Sequence, residues 1–132
     1  MRKTFMGLFL VLVLTALIVT GCSSSPQAGD QDPKNIKVEL TTEPAPARVG
    51  EETKLVATIT GLLDEKNTTV QFEIRQSDNK GLPELIEEVD YSGSGHYSAN
   101  FVFKESVKYD VYIHIYNGEL HVTKKKPVEV AS

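Results

Sequence analysis

One cysteine, Cys22, occurs in 132 residues. No internal disulfide can form, so a folded domain in this chain must stand on its hydrophobic core. Catalytic signatures are missing too. There is no Gly-x-Ser-x-Gly elbow, Walker loop, dinucleotide glycine fingerprint, His-Glu-x-x-His or Cys-x-x-Cys. Ser94 lies between Gly93 and Gly95, a pattern that fits a hairpin turn better than a nucleophile. Glu84, Glu87, Glu88 and Asp90 form an acidic cluster without the apolar surroundings that perturb a carboxylate, so they read as a solvated edge. These absences argue against an enzyme.

Long hydrophobic runs are confined to the beginning of the chain. Arg2 and Lys3 precede an apolar run from Phe5 to Val19, followed by Val19-Thr20-Gly21-Cys22. A basic start, an apolar stretch and small residues before a cut site make a signal peptide. An aliphatic residue, a small one, glycine and then cysteine is the pattern of a bacterial lipobox, in which the thiol receives a diacylglyceryl group and the chain is cut before it. The alternative is an uncut membrane anchor. The run is shorter than the ~20 residues a spanning helix needs, and only Ser23-Ser24-Ser25-Pro26 follows it, with no basic stop signal. We therefore expect residues 1–21 to be removed and Cys22 to carry lipid, palmitate among its acyl chains. Two or more chains anchor stably where one does not. The expected location is the extracytoplasmic face of the cell membrane.

Positive charge is also in short supply. The precursor has 14 Lys and Arg against 18 Asp and Glu; without Arg2 and Lys3 the net charge is −6. That balance argues against nucleic acid as a partner and against docking on anionic lipid through a basic patch. Lys124-Lys125-Lys126 is the local exception and reads as a solvated strand end.

Residues 22–35 are Ser, Pro, Gly, Gln and Asp with little apolar content, the composition of a flexible tether. From residue 36 to the end at 132 the texture changes to alternating apolar and polar residues, enough chain for one domain and one core. The period of two predicts strands. Their inward positions are Val38 and Leu40; Leu55, Ala57 and Ile59; Val70, Phe72 and Ile74; Tyr97, Ala99, Phe101 and Phe103; Tyr109, Val111, Ile113 and Ile115; and Leu120, Val122, Val128 and Val130. The segment from residue 84 to 91 can be a weaker strand or, with Pro83 at its start, a short helix. About seven antiparallel strands separated by regular turns predict an immunoglobulin-like β-sandwich. Tyr109, near the start of the sixth strand, can be the tyrosine of a corner or an ordinary core residue.

The most specific local pattern runs from Tyr112 to Val122. Asn117-Gly118 between alternating segments predicts a two-residue turn. That turn would pair Tyr116 with Glu119, Ile115 with Leu120 and His114 with His121, leaving both imidazoles on one face with Cβ atoms ~5 Å apart. Tyr112, Tyr116 and Glu119 would share that face. Two opposed histidines can supply nitrogen ligands to Cu(II) or Zn(II), with Glu119 or water adding more. The alternative is a solvent-facing pair on a surface hairpin. His96 lies outside the hairpin and reads as a surface residue.

Gly95-His96-Tyr97-Ser98-Ala99, Phe101-Val102-Phe103, Tyr109-Asp110-Val111, His114, Leu120-His121 and Pro127 together resemble the YtkA-like domain family. That family includes bacterial lipoproteins and is distantly similar to the FixH-type accessory proteins of cytochrome oxidase assembly. The resemblance covers roughly residues 36–130. It implies an immunoglobulin-like fold and a role outside the membrane. Family members often carry methionine beside the second histidine. Here Leu120 and Val122 flank His121, and the only methionines are Met1 and Met6, so a soft thioether site for Cu(I) has no donors in the mature chain. Two functions are expected: a lipid-anchored binding or assembly module that handles a metal or assists a membrane oxidase, or a structural or adhesive lipoprotein that meets an envelope protein through a sheet edge or the Tyr112/Tyr116 face.

Overall fold

A computed structural model describes residues 31–132; the signal segment and Cys22 lie outside the described residues. Among the described residues, nine strands form two facing sheets: β1 (Lys37–Glu43), β2 (Ala47–Arg48), β3 (Glu52–Thr60), β4 (Thr69–Gln76), β5 (Glu84–Ile86), β6 (Asp90–Gly93), β7 (His96–Val102), β8 (Lys108–Asn117) and β9 (Leu120–Ala131). One sheet has the order β1-β3-β7-β6 and the other β2-β9-β8-β4-β5. This is the strand order of an immunoglobulin-like sandwich. All pairings are antiparallel except that of β2 with β9. The expected fold class is what the chain adopts.

The period-two alternation builds the core directly. Leu55, Ala57 and Ile59 from β3 face Phe72 and Ile74 from β4 and Val111, Ile113 and Ile115 from β8, all of them buried. The strand count exceeds the expected seven for two reasons. The chain makes a short extra strand, β2, after Pro44 and Pro46, which cannot donate to a ladder and so end β1. The segment after residue 84 is neither one strand nor a helix. Its first half pairs with β4 and its second half with β7, so the charged Glu87-Glu88 stretch crosses between the sheets.

Phe101 departs from its expected core position. It is only partly buried, whereas Phe103 is fully enclosed, with ring centroids 5.0 Å from Phe101 and 4.8 Å from Tyr109. Strand β5 has three residues, too few to cover the far side of Phe101, which lines a surface pocket with Leu82 and Lys104. Tyr109 is buried against Phe103 as an ordinary core residue. The tyrosine that ties its hydroxyl to backbone is Tyr97, which donates to the carbonyl of Glu65 at 2.8 Å. Burial pushes the Tyr97 phenol up to about 12.

The packed chain starts before Ile36. Gln31 is buried and uses both ends of its amide, donating to the carbonyl of Gly61 and accepting from the Leu63 N–H. A 3-10 turn at Pro33–Asn35, capped by Asp32, then delivers the chain to β1. At Gly61 a Cβ would lie 2.1 Å from the carbonyl oxygen of Asn35, so only glycine lets the two segments approach this closely.

Candidate functional site

The β8–β9 hairpin has a two-residue turn, but Gly118-Glu119 form it. Asn117 pairs with Leu120, Tyr116 with His121, Ile115 with Val122 and His114 with Thr123. The expected His114–His121 and Tyr116–Glu119 pairs do not form. The cause is Asn117. Its side chain points inward, almost wholly buried, and donates to the carbonyl of Asp64 and to Thr68 Oγ1, both at 2.8 Å. Those bonds hold Asn117 as the last residue of β8 and move the turn one position on. Gly118 supplies the positive φ, 56°, at the first loop position, the requirement of a II′ turn. The shift by one residue on each strand keeps Ile115 and Val122 inside, which is why the apolar pattern is satisfied by either register.

The histidines are therefore diagonal neighbours on the outer face of the five-stranded sheet, with ring centroids 5.8 Å apart. Thr123 stands between them. Its Oγ1 is 3.0 Å from His114 Nδ1 and 3.5 Å from His121 Nε2. On the other side of His114, Nε2 is 3.0 Å from Glu73 Oε2, a residue of β4. An ionised carboxylate only accepts, so His114 donates from Nε2, and in the neutral ring Nδ1 carries a lone pair aimed at Thr123. Arg75 pairs with Glu73 as well. Burial alone would push the Glu73 carboxyl up. The hydrogen bonds from His114 and Arg75, with their charges, outweigh it and hold Glu73 below the usual carboxylate range.

The tyrosines flank this group. Tyr116 stacks on His121 with centroids 4.3 Å apart and planes 19° apart, and the guanidinium of Arg75 lies 5.3 Å from the Tyr112 ring centre. Glu119 does not join them; it is an exposed turn residue. His96 is on β7 in the opposite sheet, its Nδ1 3.1 Å from the carbonyl of Gly93. Among the described residues, no group of three or more His, Cys, Asp or Glu side chains could hold a metal ion. What the face offers a cation is two imidazoles, the hydroxyl between them and open solvent, with Glu73 orienting one ring. The shared face was legible from alternation. Glu73 and Thr123 were not. Thr123 has the same parity as His121, but choosing it needs the true register, and Glu73 enters only because β4 lies beside β8. Compared with models of known protein families and with curated proteins, the chain matches none.

Proposed function

We propose that the mature protein is a lipid-anchored, non-enzymatic binding module on the outer face of a bacterial cytoplasmic membrane, and that its outer sheet face takes a divalent transition metal, Cu(II) before Zn(II). The observation that supports the metal is the convergence of His114 Nδ1 and His121 Nε2 on one hydroxyl, with Glu73 fixing the His114 tautomer that leaves Nδ1 unprotonated. A carboxylate behind a histidine is the usual outer partner of a metal-binding imidazole. Bonds of about 2.0–2.1 Å put two nitrogens on one ion at most about 4 Å apart. The exposed His121 ring must therefore turn toward His114 and leave its stack on Tyr116. Water completes the coordination. The resemblance to the YtkA-like family, itself distantly similar to accessory proteins of oxidase assembly, agrees with such a role. The rival, an adhesive lipoprotein using Tyr112 and Tyr116, needs no convergent imidazoles.

Calorimetric copper titration of the mature domain separates them. Removing His114 or His121 should abolish most of the binding, while His96→Ala should leave it. Binding should weaken as pH falls, because protons compete with the metal for neutral imidazole. Equal weak binding in all four proteins would reject the metal. The anchor has its own test: Cys22→Ser should leave the precursor unlipidated and uncut by mass spectrometry, and normal processing of that variant would reject it.

A further inference from the structure

Strand β9 breaks its own pattern in the middle. Its inward positions are Val122, Val128 and Val130, all buried, but the two between them are Lys124 and Lys126, half-buried. The topology explains the space they occupy. Strand β2 reaches β9 only at Val130 and Ala131, and β1 stays with β3 along its whole length. The first half of β9 is therefore an open edge facing β1 across a shallow groove. Ile36 and Val38 lie at the base of this groove, Lys34 and Lys37 join Lys124 and Lys126 along it, and Glu39 is its one carboxylate. None of the four lysines makes an ion pair among the described residues, whereas Lys80, Lys104 and Lys125 each do. Four ammonium groups against one carboxylate make a local positive field on a mature chain of net charge −6.

The groove also sits where the chain leaves for its anchor. Lys34 is twelve residues from Cys22, and the nine steps from Cys22 to the packed Gln31 span at most about 30 Å when extended. We propose that this groove is a docking surface for anionic phospholipid headgroups, so that the domain rests on the bilayer by its β1–β9 edge. The proposal rests on the Cys22 anchor of the preceding reading and is independent of the metal. Lysine stems can lie along the apolar base while the ammonium groups reach outward to phosphate. A basic side chain near an anionic membrane contributes about fivefold in partitioning.

The test uses the mature chain with Cys22→Ser, so that lipid does not mask the groove. It is sedimented with vesicles of phosphatidylcholine alone and of phosphatidylcholine with phosphatidylglycerol. Binding should appear only with phosphatidylglycerol and fade as salt shortens the screening length to about 10 Å at 0.1 M. Lys124→Gln with Lys126→Gln should weaken it about 25-fold. The charge-matched pair Lys104→Gln with Lys108→Gln, from the opposite end of the sandwich, should change it less than about twofold, a difference that net charge alone cannot produce. Circular dichroism melts establish that both variants fold; should the groove pair unfold, Lys34→Gln with Lys37→Gln takes its place with the same expectation. Equal loss in the groove and control pairs, no preference for phosphatidylglycerol, or binding of soluble polyphosphate without binding of vesicles would each overturn the proposal. Failure of the anchor reading would show instead in the mass of the native protein, with the vesicle result unaffected.

Discussion

Replacing Asn117 with alanine removes the side chain that sets the hairpin register. Two donated bonds disappear, to the carbonyl of Asp64 and to Thr68 Oγ1, both made in a buried setting. Each is worth about 0.5–1.5 kcal/mol net, so the loss should be about 1–3 kcal/mol. Asp64 keeps its bond from the Thr68 hydroxyl at 2.6 Å, which keeps the cost from rising further. For a domain of this size the melting temperature should fall by about 5–20 °C, out of a total stability of about 5–15 kcal/mol. Urea unfolding followed by circular dichroism gives the energy, with Asn35→Ala, an exposed asparagine whose side chain makes no hydrogen bond among the described residues, as the control that should stay within about 0.5 kcal/mol. The register is read separately by NMR. Next to a two-residue turn, Tyr116 and His121 form a close, non-hydrogen-bonded pair, so their Hα atoms should show a strong cross-strand NOE in the native protein. An Asn117→Ala loss no larger than that of Asn35→Ala, or a native NOE joining Ile115 and Leu120 instead, would refute the account of why the turn sits at Gly118-Glu119.

Phe103→Ala should cost about 3–5 kcal/mol, since the ring is fully enclosed. Phe101→Ala should cost at most about 2 kcal/mol because one side of that ring already meets solvent; denaturant melts of the two variants should rank in that order, and the reverse order would reject the assigned depths. Tyr97 predicts an alkaline limit. Its folded phenol ionises at about 12 against an ordinary value of 10.0, so its contribution is complete below pH 10 and lost as pH rises through 12. Absorbance titration near 295 nm should show a tyrosine step near pH 12, and Tyr97→Phe should remove that step; an unchanged titration would place the late group elsewhere.

The face of each strand was readable from the chain because side chains alternate with period two. Leu55, Ala57, Ile59, Val111, Ile113 and Ile115 need no knowledge of their neighbours to be assigned inside, and Gly118 marks a hairpin turn by conformational preference, although the loop is Gly118-Glu119 and not the expected Asn117-Gly118. Register is different. A shift of one residue on both strands preserves every inward face, so the apolar pattern had no power to choose between the His114–His121 and His114–Thr123 pairings. The choice was made by a polar contact with Asp64 and Thr68, about fifty residues away in sequence. The same limit applies to Glu73, which reaches His114 only because β4 is the neighbour of β8, and to the depth of Phe101, which depends on how short β5 is. It applies most clearly to charge. Along the chain Lys124-Lys125-Lys126 looked like a solvated strand end. The fold turns Lys125 outward to Asp110 and sets Lys124 and Lys126 beside Lys34 and Lys37, ninety residues earlier. Composition and periodicity are properties of the linear chain; partners that come from different strands exist only once the sheets are ordered.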